Sequence, residues 1–68
     1  MQTLRKPIFT VSERVIVSTP SGMYQGVTGT VSEVYVFAGM HRYVVQFEDD
    51  TSAVFFSFEL RPCIPVQV

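Results

Sequence analysis

Residues 42–62, RYVVQFEDDTSAVFFSFELRP, leave little choice of local structure. Apolar side chains recur at every second position on both sides of an acidic break, which is the period of strands and not the 3.6-residue period of a helix. Tyr43, Val45 and Phe47 alternate with Arg42, Val44 and Gln46. A two-residue turn at Asp49 and Asp50 pairs Glu48 with Thr51. Parity then sets Val45 against Val54 and Tyr43 against Phe56 on one face, and Val44 against Phe55 on the other. Asp50 is expected to take a positive φ, which Asp tolerates less well than Gly, so a longer loop is the alternative. Residues 57–60 are too few for an α-helix and suit one 3₁₀ turn. Residues 61–68 supply a last strand, which Pro62 and Pro65 confine to a sheet edge.

The rest of the chain keeps the same period. Residues 13–18 place Val15 and Val17 on one face, Arg14 and Ile16 on the other. Residues 19–26 gather the turn formers Pro20, Ser21, Gly22 and Gly26. In residues 27–37 the apolar spacing stretches to three between Val31 and Val34 before returning to two at Val36, which predicts a bulge in a long bent strand. Ala38, Gly39 and Met40 make a short turn into a third strand over 41–48. Residues 1–12 form an arm expected to dock by Ile8 and Phe9, and residues 13–68 form one domain. No segment sustains a helical period, and there is no internal repeat. The fold class is all-β with five strands.

These residues resemble a known family. Glu13-Arg14-Val15-Ile16-Val17, followed by Gly22, Gly26, Gly29, Thr30 and Val31, looks like the strand, glycine loop and Gly-x-Val of KOW-type domains. Residues 43–50, YVVQFEDD, and then Phe56 to Glu59-Leu60-Arg61-Pro62 look like the Tyr-x-Val-x-Phe-Asp-Asp-Gly and Phe-x-x-x-Glu-Leu-x-Pro ending of small bacterial SH3-like barrels. The resemblance implies an SH3-like, five-stranded, partly open barrel with a short 3₁₀ turn before the last strand. Such motifs serve the barrel itself and specify fold far better than task. KOW-type domains usually carry Lys and Arg around the glycine loop, where this chain has Thr19, Ser21, Met23, Tyr24 and Gln25. Type II dihydrofolate reductases are SH3-like tetramers with a Val-Gln-Ile-Tyr run lining a shared pore. The corresponding Ala53-Val54-Phe55-Phe56 lacks those polar groups, so that activity does not carry over. Small barrels of mobile bacterial elements are similar in length and pattern, and that likeness assigns no activity.

Size and charge narrow the functions. A 68-residue domain buries only about 60% of the surface its unfolded chain exposes. The usual supports are disulfides, metals or oligomerisation. A single cysteine, Cys63, leaves no disulfide within the chain and no multi-thiolate zinc site, so a homo-oligomer is expected. With 47% hydrophobic and 16% charged residues, some apolar side chains should lie exposed in the monomer. A net charge of −1 provides no positive field to gather nucleic acid or an anionic membrane. No apolar run approaches the roughly 20 residues of a membrane span, and the first residues lack the order of a secretory signal. A cytoplasmic location without membrane attachment is the expectation.

With Val34, Val36, Tyr43, Val45, Phe47, Val54 and Phe56 inward, alternation pushes Tyr35, Phe37, Val44 and Phe55 outward, joined by Ile16. These five are the expected interface of a small non-catalytic module that self-associates or binds another protein. The alternative cover is the arm, or the tail with Ile64, Val66 and Val68. A KOW-like nucleic-acid module ranks second, with Lys6, Arg14 and Arg42 near phosphates and Tyr24 stacking on bases. His41 reads as a solvated turn residue with no metal partners, Asp49 and Asp50 as a hairpin tip, and Cys63 as a small apolar filler. No catalytic set, metal or cofactor is expected from one chain, although a site shared between subunits stays open.

Overall fold

Ser32 is where the sheet bends. The chain was described by a computed structural model that covers residues 7–19, 22 and 24–63. Within them lie the strands β1 (Arg14–Val17), β2 (Thr28–Phe37), β3 (Met40–Gln46), β4 (Ser52–Phe56) and β5 (Leu60–Pro62), with a 3₁₀ turn at Ser57–Glu59. All five form one antiparallel sheet in the order β4-β3-β2-β1-β5, and the described residues contain no α-helix. Along β2 and β3, Val31 faces Val45 but Glu33 faces Val44, which leaves Ser32 as an extra residue. Its hydroxyl donates to the Val44 carbonyl at 3.3 Å. The bulge transfers the inward positions from odd residues (Gly29, Val31) to even ones (Val34), and this is the three-residue spacing visible in the sequence.

The hairpin of β3 and β4 departs from the expected pairing by one residue. The Phe47 N–H donates to the Thr51 carbonyl at 2.8 Å and the Asp50 N–H to the Phe47 carbonyl at 3.1 Å, so the loop holds three residues, Glu48, Asp49 and Asp50. Tyr43 therefore faces Phe55, Val44 faces Val54 and Val45 faces Ala53. A two-residue loop of the common hairpin type needs positive φ at both central positions, which suits Asn-Gly but not Asp-Asp. A three-residue loop needs it only once, and Asp50 takes it at φ 69°. The slip corrects three assignments: Phe55 is buried at 7% exposure, Val54 is 47% exposed, and Phe56 lies half-buried on the outer side.

The core consists of Phe9, Val15, Val17, Val31, Tyr43, Val45, Phe47, Phe55 and Leu60, with Tyr24, Val34 and Ala53 packed against it. Of the arm, Phe9 enters the core and meets the Tyr43 ring edge-on at 5.4 Å. Ile8 keeps its side chain in solvent, while its N–H donates to Tyr43 Oη at 2.9 Å and so satisfies the hydroxyl of a fully buried tyrosine. Val36, expected inward, is 43% exposed, because β1 pairs with β2 across Thr28–Thr30 and does not reach it. The last strand is short. β5 pairs with β1 through Val17 and Leu60, Ile16 and Arg61, and Val15 and Pro62; the remainder of the expected strand, 64–68, lies outside the described residues. Glu59 steadies the corner before it by accepting the Phe56 N–H at 2.9 Å on its side chain and the Ser18 N–H at 2.8 Å on its carbonyl.

Gly29 sits on β2 beside the end of its paired strand β3, where there is no room for a side chain. A Cβ there would lie 2.5 Å from Val45 Cγ1, 2.9 Å from the Gln46 carbonyl oxygen and 3.0 Å from Phe47 Cδ1. Because one of these is backbone, Gly29→Ala should lower stability by about 1–3 kcal/mol, read as a lower urea midpoint at unchanged slope. Ala38 is the opposite case, since it holds φ 54° beside Gly39 at φ 78° in a two-residue turn. Ala38→Asn should raise stability by about 0.5–1 kcal/mol in the same measurement.

Candidate protein-interaction face

The side chains that alternate away from the core on β2, β3 and β4 fall into rows set by the register. Tyr35, Arg42 and Phe56 form one, Glu33, Val44 and Val54 the next, and Phe37 with Met40 closes the hairpin end. The Arg42 guanidinium carbon stands 4.6 Å from the Phe56 ring centre and 5.2 Å from that of Phe37. The 3₁₀ turn returns Phe58 beside Phe56, and the two rings stack at 5.3 Å and 11°. Phe58 is 72% exposed and Phe37 62%. Arg42 Nε is buried and has no hydrogen-bond partner among the described residues. Two aromatic faces thus hold the cation in place by their quadrupoles, while its stem lies along apolar surface.

Three of the five residues expected at an interface, Tyr35, Phe37 and Val44, meet on this face. Phe55 does not, because it packs inward against Tyr24 and Phe47. Ile16 is half-buried on β1 between Thr28 and Arg61, at the opposite end of β2 from the Tyr35 row. Sequence reasoning missed Val54 and Phe56 through the one-residue slip, and Met40 and Phe58 because they follow a turn and a 3₁₀ corner where strand alternation gives no guidance. The described part of the arm leaves this face open, since Phe9 turns into the core. The tail residues Ile64, Val66 and Val68 lie outside the described residues.

The residues of the nucleic-acid alternative are not gathered in one place. Arg14 and Tyr24 line a groove of about 570 Å³ together with Val27, Thr28, Phe47, Glu48 and Asp49. One face of the Tyr24 ring is already stacked on Phe47 at 4.7 Å, and the two acids place negative charge beside Arg14. Arg42 belongs to the other face, and Lys6 lies outside the described residues. Among the described residues no group of three or more His, Cys, Asp or Glu could hold a metal ion. His41 is half-buried, with its ring 6.5 Å from that of Tyr43. Cys63 is exposed, which corrects its reading as a filler of apolar space. No helix among the described residues is long and apolar enough to cross a membrane. Compared with protein-family models, with curated proteins and with solved structures, the chain matches none.

At the hairpin tip, Asp49 Oδ1 accepts the Thr51 hydroxyl at 2.6 Å and the Thr51 N–H at 3.2 Å. These bonds favour the charged carboxylate, the hydroxyl most, and hold Asp49 below its ordinary pKa. The folded chain therefore keeps this charge at a pH where the unfolded chain has begun to bind the proton. The resulting stability is fully present above the ordinary carboxylate pKa and is lost as pH falls through the lower folded value. A titration followed by carboxyl chemical shifts should find the Asp49 midpoint below the ordinary value, and Thr51→Val should move it upward. An unchanged midpoint in Thr51→Val would mean that the hydroxyl bond does not form.

Proposed function

We propose that the chain is a small SH3-like, partly open β-barrel that acts as a non-catalytic protein-interaction module. Its outer β2–β3–β4 face takes a partner surface that offers apolar side chains around a carboxylate. The fold part of this reading is supported by the strand order, by the 3₁₀ turn between β4 and β5, and by the antiparallel return of β5 to β1. The observation that carries the binding part is Arg42, held between Phe37 and Phe56 with Phe58 stacked beyond. Arg is enriched among interface hot spots, and an arginine whose stem is already ordered loses little entropy on meeting a carboxylate. Exposed Met40 and Val54 lie on the same outer face and add apolar surface to it. The exposed thiol of Cys63 suits a reducing compartment and thus a cytoplasmic site of action. A nucleic-acid reading draws less support, because Arg14 and Tyr24 share their groove with acids and stand apart from Arg42.

Selection from a displayed peptide library followed by amide-shift mapping tests this. The selected peptides should carry Asp or Glu beside aliphatic or aromatic residues and shift the amides of Tyr35, Phe37, Arg42 and Phe58. Arg42→Gln and Phe58→Ser should each weaken them about ten-fold or more, as loss of a hot-spot residue does. Shifts centred on Arg14 and Tyr24, or steeply salt-dependent binding of single-stranded RNA, would overturn the proposal.

A further inference from the structure

β2 outruns its neighbour on one flank. β1 pairs with it over Thr28–Thr30, and two further bonds, from the Ser12 N–H to the Val31 carbonyl and from the Val31 N–H to the Glu13 carbonyl, end that contact. From Glu33 to Phe37 the strand pairs with β3 alone. The two-residue loop makes Phe37 and Met40 a hydrogen-bonded pair, so Tyr35 and Glu33 also bond to β3. The N–H and C=O groups of Val34 and Val36 consequently point to the open flank, where no described residue meets them. Glu33-Val34-Tyr35-Val36-Phe37 contains no Pro, Lys or bulge, and Glu33 at its end is its single charged guard of the edge. Side chains are open on both faces as well, with Phe37 on one and Val36 on the other.

We propose that a second copy of the chain occupies this edge, with the two β2 strands joined antiparallel about a two-fold axis at Tyr35. Only that axis matches outward-bonding residues fully. It sets Val34 of each copy against Val36 of the other, and each such pair exchanges two hydrogen bonds. An axis at Val36 would set Val34 against Ala38, which has left the strand at φ 54°. An axis at Val34 would set Val36 against the bulged Ser32. With the axis at Tyr35, Glu33 faces Phe37 of the second copy and no like charges stand opposite one another. The net charge of −1 per chain offers little repulsion. The sheet becomes continuous through both copies, and their outer faces adjoin at the two Tyr35 rings. The pairing concerns the edge and stands whether or not the outer face binds a peptide.

Disulfide trapping in a Cys63→Ser background tests the register. The two Tyr35 positions form a non-hydrogen-bonded pair with Cα atoms about 4.5 Å apart, within disulfide reach, whereas the two Phe37 positions lie about 14 Å apart along the strands. Tyr35→Cys should oxidise to a covalent dimer at least ten times faster than Phe37→Cys. In sedimentation equilibrium the unmodified chain should dimerise with concentration. Val36→Pro, which removes one outward N–H, and Val36→Lys, which charges the edge without altering the backbone, should both shift it toward monomer with unchanged circular dichroism. Phe58→Ser should leave the dimer intact, which separates this edge from the outer face. A monomer at every concentration, or trapping at Phe37→Cys as fast as at Tyr35→Cys, would overturn the proposal.

Discussion

Strand parity is the constraint on which the rest of the molecule depends, because in a sheet this small one residue more or less in a strand exchanges its buried and exposed sides. Parity is set at two places. The extra Ser32 turns the far half of β2 over, and the three-residue loop ending at Asp50 does the same to β4 relative to a tight two-residue hairpin. Phe55 reaches the core and Phe56 the outside only because of the second. Had the loop been one residue shorter, Phe56 would lie inside opposite Tyr43, and Arg42 would lose one of the two rings that hold it.

Close packing inside this frame leaves little slack. Gly29 has no side chain because Val45 and the backbone of Gln46 occupy the space one would need, and Tyr43 is tied to the arm through both its ring and its hydroxyl. Among the described residues nine apolar side chains are buried and form the core. Several of the exposed ones lie on the outer side of β2–β4, Tyr35, Phe37, Met40 and Val54 among them, and Val36 lies along the β2 end that β1 does not reach. The proposed interaction face and the open edge therefore share one origin, a long hairpin that extends past β1.

The parts of this architecture with local causes were legible in the sequence. Five strands, the bulge between Val31 and Val34, the 3₁₀ turn, the positive φ of Asp50 and the edge position of Pro62 each follow from a few adjacent residues. Phe55 and Phe56 were misassigned because Glu48-Asp49-Asp50 fits a two- or a three-residue loop by composition, and only the backbone strain of two successive positive φ angles separates them. Val36 was misassigned for a long-range reason, since its burial depends on where β1 stops. The aromatic frame around Arg42 draws on three strands and a 3₁₀ corner, which no single periodic segment displays, although the alternation that placed Tyr35 and Phe37 together was already apparent.

Parity of β4 can be read directly in solution from backbone contacts between β3 and β4 by nuclear Overhauser spectroscopy. Non-hydrogen-bonded antiparallel pairs bring their Cα atoms to about 4.5 Å and their α-protons into direct contact. The three-residue loop predicts such α-proton contacts between Val44 and Val54 and between Arg42 and Phe56. A contact between the α-protons of Val44 and Phe55 in their place would put Phe55 on the outer face and contradict the arrangement of both the core and the arginine site.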